Sequence, residues 1–401
     1  MLKSFYEQMN KLSEEEFQRR PRGWLMFGAQ LASIMLEAFE EDAKVVWTTY
    51  YTFPMELLAA FDVAPFDFEV ACNLPPGLDP KGCADIMAEA RGYSVDLCSF
   101  HRLALGCYFL GYLPKADLLL TTSHFCDGKT KTNQILAQYY GKEAIMLDVP
   151  NEFSKESVAY VSGQLQTIAH KLEEVSGHRL DLDRLGECIR ASNRARAAYA
   201  RLAEMGKAKP FPWDGFRLCL LSIVGNTFSG TPFQEQLYQK IIDECQQRMA
   251  EGKVAPEEFR VLWLAWVPAQ PTNINEILRT NKVSIVMAEL ARIYWDEIDE
   301  KHPFEGMALR CLKNPYVGSV EQRLTGVLQL AEEYAIDGVV HFSSTACRHA
   351  NASFRIIEDA LAKRNVPFLV LEGDMSDMRR YSAERTRSFL ETFTEVMAAR
   401  K

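Results

Sequence analysis

The run Ala116-Asp117-Leu118-Leu119-Leu120 is a short apolar stretch that ends a few residues before Cys126, and Asp337-Gly338-Val339-Val340 precedes Cys347 in the same way. Short apolar runs of this kind are typical of strands buried in a parallel sheet. In an open α/β sheet, ligands bind outside the carboxyl ends of the strands. The sequence therefore predicts that both cysteines lie at ligand-binding edges of parallel sheets.

Strand-like runs alternate with helical segments along most of the chain, and this alternation predicts parallel sheets. The other predicted strands are residues 44–49, 143–148, 259–264, 283–287 and 367–371. We therefore predict an α/β protein with two flavodoxin-like or Rossmann-like parallel-sheet domains, together with helical segments at the N-terminus and in the linker.

The pattern also predicts where the domains begin and end. Apolar residues recur at helical spacing over residues 24–40 and over 384–400, and residues 152–204 are helical and charged with a turn at Ser176-Gly177-His178. The stretch from Lys207 to Pro212 has two prolines and no periodicity, which favours a boundary. We predict a helical lead-in over 1–40, a first α/β domain with a helical extension over 41–206, and a second α/β domain with its C-terminal helix over 207–401.

Composition excludes several classes of function. The 401 residues include 48% hydrophobic residues and carry a formal net charge of −9. An acidic chain lacks the basic face that binds nucleic acid. The apolar runs are far shorter than the ~18 residues that span a bilayer, and the polar N-terminus lacks the apolar core of a signal peptide. We expect a cytoplasmic protein that binds neither nucleic acid nor membrane.

The ten cysteines are scattered and none forms a Cys-x-x-Cys pair. This pattern favours a reducing compartment with free thiols or metal ligands, rather than disulfides. Most of the cysteines are expected to be small buried hydrophobic residues. These are Cys72, Cys83, Cys107, Cys188, Cys219, Cys245 and Cys311.

The three remaining cysteines each have a histidine within three residues. The pairs are Cys98 with His101, Cys126 with His124, and Cys347 with His349. Zinc accepts mixed sulfur and nitrogen ligands. Alternatively, thiolates alone hold an iron–sulfur cluster, while the imidazoles donate to cluster sulfides or move protons. The spacing leaves zinc, an iron–sulfur cluster and inert thiols all open.

The residues after Cys126 favour an anionic centre. Asp127-Gly128-Lys129-Thr130-Lys131 stands where a helix is expected to begin, and the N–H groups of a helix N-terminus stabilise negative charge. Nearby lysines also lower a thiol pKa. Taken singly, Lys129 and Lys131 are expected to lie on an ordinary solvated helix face.

Together these segments resemble the benzoyl-CoA reductase / 2-hydroxyacyl-CoA dehydratase family, in its large-subunit form. The resemblance covers nearly the whole chain from about residue 40, in order and at similar spacing. It is carried by Val46-Trp47-Thr48-Thr49, Phe53-Pro54-Met55-Glu56-Leu57, Ala60-Phe61-Asp62-Val63, Gly92-Tyr93-Ser94-Val95-Asp96-Leu97-Cys98, Phe125-Cys126-Asp127-Gly128-Lys129, the segment from Asp337 to Cys347, and the closing helix from Glu384 to Glu391.

The resemblance implies a site. In that family, the cysteines matching Cys98, Cys126 and Cys347 bind one four-iron, four-sulfur cluster whose fourth iron is open to the substrate. Glu69 matches an active-site glutamate, although Phe68 stands where proline is usual. A carboxylate in so apolar a stretch is a candidate proton shuttle, and its alternative is a surface or capping carboxylate.

Three further residues are expected beside the cluster: His124, His349 and Tyr51. The family usually carries serine at the position of Tyr51. The branch that holds a double-cubane cluster needs additional cysteines, and this chain lacks them near residues 50–52 and before Gln322-Arg323. A single cluster is therefore expected.

The implied function is that of the iron–sulfur subunit of a radical (R)-2-hydroxyacyl-CoA dehydratase, a lyase that applies one-electron ketyl chemistry to an acyl-CoA thioester. The alternatives are a subunit of an ATP-dependent benzoyl-CoA reductase, a non-catalytic paralogue that keeps the cluster, and an α/β binding protein with structural cysteines.

The resemblance also implies protein partners: a smaller homologous subunit in a heterodimer, and an ATP-dependent iron–sulfur activator protein that donates electrons. The chain itself lacks a Gly-x-x-x-x-Gly-Lys-Ser/Thr phosphate loop, which fits a recipient of electrons rather than the ATP-driven donor. An oxygen-sensitive cluster would imply an anaerobic organism.

Overall fold

A computed structural model describes residues 1–49, 53–73, 83–269, 272–292, 296–314 and 316–401. The chain forms two compact units. Unit 1 comprises Met1–Tyr199, Ile223–Ile241 and Tyr294–Gly318, and unit 2 comprises Ala200–Ser222, Ile242–Ile293 and Ser319–Lys401. Each unit contains one four-stranded sheet. Tyr51, predicted to lie near the cluster, falls outside the described residues.

Unit 1 contains a parallel sheet in the order β2-β1-β3-β4. Its strands are β1 (Val45–Thr48), β2 (Ala64–Asp67), β3 (Leu118–Thr122) and β4 (Ala144–Leu147). Side chains alternate between the two faces of a strand. Leu118 and Leu120 belong to an apolar core with Val161 and Leu165, whereas Trp47 packs against Phe66 with ring centroids 5.1 Å apart. Both faces are therefore covered, as a parallel sheet requires.

Unit 2 repeats this design. Its parallel sheet has the order β6-β5-β7-β8. The strands are β5 (Phe259–Ala265), β6 (Val283–Ala288), β7 (Gly338–Ser344) and β8 (Phe368–Gly373). A Cβ atom at Gly338 would lie 2.6 Å from a ring carbon of Phe393, so glycine allows the C-terminal helix to approach β7 closely.

The edge strand β2 was not predicted from the sequence. Pro65 lies inside it, and a proline removes a backbone donor and lowers the expectation of a strand. Since β2 has a neighbour on one side only, Pro65 is compatible with the ladder, in which it lies opposite Val46. The fold class, an α/β protein with two parallel-sheet domains, is confirmed.

Helices surround the strands. Those up to residue 205 are α1 (Leu2–Arg19), α2 (Gly23–Glu37), α3 (Met55–Ala59), α4 (Phe68–Asn73), α5 (Cys83–Ala90), α6 (Ser99–Phe109), α7 (Asp127–Tyr140), α8 (Lys155–Ser176) and α9 (Leu182–Met205). The Ser154 hydroxyl caps the start of α8 by accepting from Ser157 N at 3.1 Å. Gly177 ends it in the left-handed region at φ 78°, at the predicted turn.

The remaining helices lie after residue 205. They are α10 (Gly215–Thr227), α11 (Pro232–Ala250), α12 (Ile274–Thr280), α13 (Pro303–Leu312), α14 (Val320–Glu333), α15 (Arg348–Asn351), α16 (Phe354–Ala362) and α17 (Ala383–Ala398), with short 3₁₀ helices at Glu289–Arg292 and Met378–Arg380. Ser319 and Ser382 cap α14 and α17. Of the helices in the described part of the chain, none is long and apolar enough to cross a membrane.

A buried ion pair holds α13 to α3 within unit 1. The Arg310 guanidinium donates to both oxygens of Glu56, at 2.7 and 2.5 Å, and the Ser192 hydroxyl donates to the same carboxylate at 2.6 Å. The Glu56 side chain is fully buried. A buried carboxylate needs this degree of compensation, because a buried charge without hydrogen bonds is strongly destabilising.

Candidate active site

The two sheets each have a point where the chain switches from one side to the other, between β1 and β3 and between β5 and β7. Ligands of such sheets bind outside the carboxyl ends of the strands at this point. Cys126 follows β3 and Cys347 follows β7. Each cysteine thus lies beyond the carboxyl end of a strand at the switch point of its own unit.

All ten cysteines are free, and three of them stand apart. Cys98, Cys126 and Cys347 are each partly exposed and occupy the position directly before a helix, namely α6, α7 and α15. Six of the others are buried, as predicted, whereas Cys83 is exposed. A thiol at the start of a helix faces N–H groups that favour its charged form.

His101 lies between Cys126 and Glu69 in unit 1. Its Nε2 atom is 3.6 Å from Cys126 Sγ, and its Nδ1 atom is 3.6 Å from Glu69 Oε1. A Cβ atom at position 128 would lie 3.0 Å from His101 Cδ2 and 3.5 Å from Cys126 Sγ. Gly128 therefore leaves room for the imidazole beside the sulfur. The sequence drew attention to His101 as a neighbour of Cys98, but its contacts with Glu69 and Cys126 could not be predicted.

Glu69 is buried in the first turn of α4, with 6% of its surface exposed. The interpretation of Glu69 as a surface or capping carboxylate is wrong, because Asp67 does the capping. Asp67 Oδ1 accepts from the backbone N–H groups of Glu69 and Val70, both at 3.0 Å. Asn226 donates to the other oxygen of Asp67 at 3.2 Å. The Asp67 carboxylate therefore fixes the backbone from which Glu69 projects.

Lys129 also lies in this buried cluster. Only 1% of Lys129 is exposed, and its Nζ donates to Thr122 Oγ1 at 2.8 Å. The expectation of a solvated face is wrong for Lys129 and correct for Lys131, which is exposed. The reason is that α7 packs against β3, so that only one of the two lysines faces solvent.

Burial shifts the pKa values of the side chains around Lys129. Burial, together with the charge of Lys129, lowers the pKa of His101 to about 3, so the imidazole is neutral near pH 7. Burial lowers the pKa of Lys129 to about 8, although Glu69, Cys126 and Asp67 oppose this change. Burial and the neighbouring Glu69 raise the pKa of Asp67 well above its usual value.

The surroundings of Cys347 in unit 2 are also rich in donors. Burial raises the pKa of Cys347, whereas hydrogen bonding from the Ala350 backbone and the Trp266 side chain, together with the charge of Arg323, lowers it. Hydrogen bonds from N–H groups suit a sulfur that carries negative charge, as a metal-bound thiolate does.

The other two predicted neighbours of the cluster differ in exposure. His124 is buried, with 5% of its surface exposed, and stands between β3 and Cys126. His349 is exposed in the short helix α15. The roles predicted for them, and those of Glu69 and the three cysteines, stay predictions.

Across the described ranges, no three histidine, cysteine or acidic side chains lie close enough together to hold a metal ion. Cys98 and Cys126 belong to unit 1, whereas Cys347 belongs to unit 2. The surroundings of the sulfurs nevertheless fit thiolate ligands, since His101 Nε2 lies 3.6 Å from Cys126 Sγ, and Ala350, Trp266 and Arg323 all lower the pKa of Cys347.

Comparison with known proteins extends these observations. The family model described as "2-hydroxyglutaryl-CoA dehydratase, D-component" matches residues 50–397. The (R)-phenyllactyl-CoA dehydratase alpha subunit of Clostridium sporogenes is 23% identical over 385 residues, which cover 91% of this chain and 92% of that protein. A benzoyl-CoA reductase subunit of Thauera aromatica is 24% identical over 366 residues, which cover 82% of this chain and 85% of that protein.

A third relative is the (R)-2-hydroxyglutaryl-CoA dehydratase alpha subunit of Acidaminococcus fermentans. It is 25% identical over 300 residues, which cover 72% of this chain and 61% of that protein. The matches confirm the family that the motifs predicted, together with the predicted enzyme class, a lyase of the dehydratase type with the reductase type as its alternative. The family model covers most of the chain, and the chain therefore belongs to the 2-hydroxyglutaryl-CoA dehydratase D-component family.

Proposed function

We propose that this protein is the iron–sulfur subunit of an (R)-2-hydroxyacyl-CoA dehydratase, which removes water from an acyl-CoA thioester through a radical. The observation that carries the proposal is the contact of His101 with both Glu69 and Cys126, at 3.6 Å on either side. It connects a buried carboxylate to a candidate cluster ligand at the switch point of a sheet. Family membership supplies the class of reaction.

Cys98, Cys126 and Cys347 are the proposed ligands of one four-iron, four-sulfur cluster with one iron open to the substrate. Three observations support them: their partial exposure, their positions before helices, and the polar groups that act on two of the sulfurs, His101 Nε2 at 3.6 Å from Cys126 and the groups that lower the pKa of Cys347. When bound, such a cluster supplies a low-potential electron and a Lewis-acidic iron for the thioester carbonyl. The protein itself would hold the substrate and the cluster in position, exclude water and stabilise charge.

Glu69 is the proposed proton carrier of the site. It is buried, its backbone is fixed by Asp67, and a neutral imidazole lies beside one of its oxygens. Loss of water from a 2-hydroxyacyl group requires a proton to leave C3 and another to reach the departing hydroxyl. A carboxyl group held in place beside the substrate can serve both transfers, first as a base and then as an acid.

Lys129 is proposed to balance the negative charge of this region. Its ammonium group is buried and interacts electrostatically with Glu69, Cys126 and Asp67. A nearby cation stabilises both a thiolate and a carboxylate. His101 contributes no charge near pH 7, and so it orients its neighbours without adding repulsion toward Lys129.

The proposed partners follow from the family. Each of the three relatives is named as one subunit of its enzyme, which supports a partner subunit for this chain as well. We propose a smaller homologous subunit in a heterodimer, an ATP-dependent iron–sulfur activator as the electron donor, and an acyl-CoA substrate. A cluster with an open iron is sensitive to oxygen, so we further propose that the enzyme works in the cytoplasm of an anaerobe.

A reductase of the benzoyl-CoA type is the second candidate. The observation that favours it is the 24% identity to the benzoyl-CoA reductase subunit, which lies between the 23% and 25% identities to the two dehydratase subunits. In a reductase, electrons and protons enter an aromatic ring instead of expelling a hydroxyl. The two activities are separated by offering both substrates and measuring which thioester is consumed.

The variant Glu69→Gln tests the proposed function. We expect the protein, with its partner subunit and activator under anaerobic conditions, to convert a 2-hydroxyacyl-CoA to the enoyl-CoA. Loss of the carboxylate should lower kcat by roughly 10²–10⁴, the range of a general acid–base group, without a loss of iron.

Glu15→Gln, an exposed change on α1, is the matched control and should turn over at the wild-type rate. Wild-type turnover by Glu69→Gln would rule out the proton role of Glu69. The dehydratase proposal itself would be wrong if the cluster-loaded complex consumed no 2-hydroxyacyl-CoA.

A further inference from the structure

The helix that carries Glu69 is short and buried along its whole length. All six residues of α4 are buried. Asp67 accepts from backbone N–H groups at the start of α4, as described above. The carbonyl groups in the last turn of a helix have no partner within the helix, and a buried carbonyl without a donor is destabilising. The end of α4 therefore requires donors as well.

Two side chains donate to carbonyl groups of α4. The Tyr6 hydroxyl donates to the Ala71 carbonyl at 3.0 Å, and the Asn73 side-chain amide donates to the Glu69 carbonyl at 2.8 Å. Asn73 belongs to α4 itself, whereas Tyr6 belongs to α1 and lies 65 residues before Ala71. Tyr6 thus connects the last turn of α4 to the N-terminal helix of the same unit.

Helix α1 holds Tyr6 in a fixed position. Leu2 and Tyr6 are fully buried, whereas the other residues of α1 are partly or fully exposed. The helix lies close to α2, because a Cβ atom at Gly28 would be 2.9 Å from Ser13 Oγ. Burial raises the pKa of Tyr6 well above its ordinary value, so its hydroxyl keeps the proton that it donates to Ala71.

We infer that Tyr6 is a positioning residue, whose hydrogen bond to Ala71 fixes the end of α4 and thereby holds Glu69 in the orientation that its proton transfers require. The inference rests on the proposed function, because it requires Glu69 to be the proton carrier. The match to the family model begins at residue 50, so Tyr6 lies outside the segment that identifies the family. Helix α1 is therefore part of the support of the active site.

The physical reason is that proton transfer depends strongly on geometry. A small displacement of an acid–base group removes much of its effect on the rate. Without the Tyr6 hydroxyl, the buried Ala71 carbonyl loses its donor, and α4 opens and shifts more easily. This change affects the orientation of Glu69 and not the binding of the thioester, so kcat is expected to fall while KM stays the same.

The first test is hydrogen–deuterium exchange of the full-length Tyr6→Phe protein, read by mass spectrometry. Phenylalanine keeps the ring in place and removes the hydroxyl. We expect the backbone amides of residues 68–73 to exchange about tenfold faster than in the wild type, because a buried acceptor without its donor destabilises the helix locally. This readout requires neither cluster nor substrate, and so it does not depend on the proposed function.

The second test is anaerobic turnover of 2-hydroxyacyl-CoA by the cluster-loaded complex with its partner subunit and activator. In Tyr6→Phe, we expect kcat to fall about tenfold at an unchanged KM, because Glu69 is misplaced rather than removed. Replacement of Tyr6 by 4-aminophenylalanine supplies an N–H donor at the position of the hydroxyl. This replacement should restore both kcat and the slow exchange of α4.

Tyr334→Phe is the matched control. Tyr334 is buried in unit 2, and its hydroxyl donates to the Ala203 carbonyl at 3.1 Å, so this variant loses the same kind of hydrogen bond away from α4. Its kcat and its exchange over residues 68–73 should equal those of the wild type.

Three outcomes would contradict the role of Tyr6. Wild-type exchange over residues 68–73 in Tyr6→Phe, or faster exchange at an unchanged kcat, would overturn the inference and leave the proposed function standing. An equal fall of kcat in Tyr334→Phe would show that kcat follows general stability, and the inference would again be wrong. A wild-type complex that consumes no 2-hydroxyacyl-CoA would overturn both.

Discussion

At the scale of single residues, the chemistry is concentrated around side chains that the fold buries against their usual preference. Glu69, His101 and Lys129 are all nearly inaccessible to solvent, although glutamate and lysine are rarely buried without a partner. Such groups are costly to bury unless they interact with one another. Buried ionisable side chains grouped in this way beside Cys126 are typical of functional sites.

The substitution His101→Leu tests whether the imidazole connects Glu69 to the Cys126 sulfur. We expect kcat to fall by roughly 10², because Glu69 loses the neighbour that orients it, and misoriented acid–base groups lose most of their effect. Iron content should remain, since His101 is not a proposed ligand. The measurement is anaerobic turnover together with iron content per chain.

An exposed histidine provides the control for this substitution. His170 lies on α8 and pairs with Glu173 at the surface, so His170→Leu should leave both turnover and iron unchanged. Wild-type turnover by His101→Leu would contradict the connecting role. Loss of iron would assign His101 to the cluster instead.

Most of what the sequence predicted at the residue scale concerned the cysteines, and the reason is physical. Their positions after apolar runs follow from local patterns, which a sequence displays directly. The contacts of His101 with Glu69 and of Asn226 with Asp67 join residues that are distant in sequence. No local pattern encodes such contacts, so the sequence could not reveal them.

At the scale of elements, carboxylates at the short helices α3 and α4 have environments that shift their pKa values in opposite directions. Glu56 on α3 is paired with Arg310, whereas Asp67 and Glu69 share the start of α4. The pKa of Asp67 is raised by burial and by Glu69. Burial acts in the same direction on Glu56, but the charge and hydrogen bonds of Arg310, with a further bond from Ser192, bring its pKa below the ordinary value.

The Glu56–Arg310 pair predicts a pH dependence of stability. Because the folded-state pKa of Glu56 lies below its ordinary value of 4.5, its contribution is fully present above pH 4.5 and is lost as the pH falls through the lower folded value. At pH 7, Glu56→Gln leaves Arg310 buried without its counterion, which should lower the free energy of unfolding by about 3–5 kcal/mol. The measurement is urea unfolding of the metal-free protein at pH 7 and below pH 4.

Glu391→Gln is the control for this experiment. Glu391 forms an exposed ion pair with Arg387 on α17, and such pairs contribute little to stability. We expect Glu391→Gln to change the free energy of unfolding by less than about 1 kcal/mol at either pH. A Glu56→Gln protein that is as stable as the wild type at pH 7 would contradict the importance of this pair.

The elements also show where sequence patterns fail. Apolar runs predicted the other strands of both sheets, but β2 contains Pro65 and has no such run. It is an edge strand, and its pairing with β1 depends on the tertiary structure. Since β2 leads into α4, the missed strand is the one that positions Asp67 and Glu69.

At the scale of the whole molecule, the chain contains two units with one sheet design. The strand orders β2-β1-β3-β4 and β6-β5-β7-β8 correspond strand for strand, and in each unit the third strand is followed by a cysteine at the start of a helix. The sequence predicted two α/β halves, each with a cysteine beyond a strand. It could not predict Ala265 at positive φ or the Arg323–Glu289 pair, because both depend on long-range packing.

The central claim is that Cys98, Cys126 and Cys347 hold one iron–sulfur cluster, and the most direct test is iron and sulfide content per chain after anaerobic purification. We predict about four irons and four sulfides in the wild type and in Cys83→Ser, and loss of most of both in Cys126→Ser and Cys347→Ser, because thiolates are the ligands of such clusters. Cys83 is exposed and serves as the matched cysteine control. Stoichiometric zinc, or iron that survives both ligand substitutions, would contradict the claim.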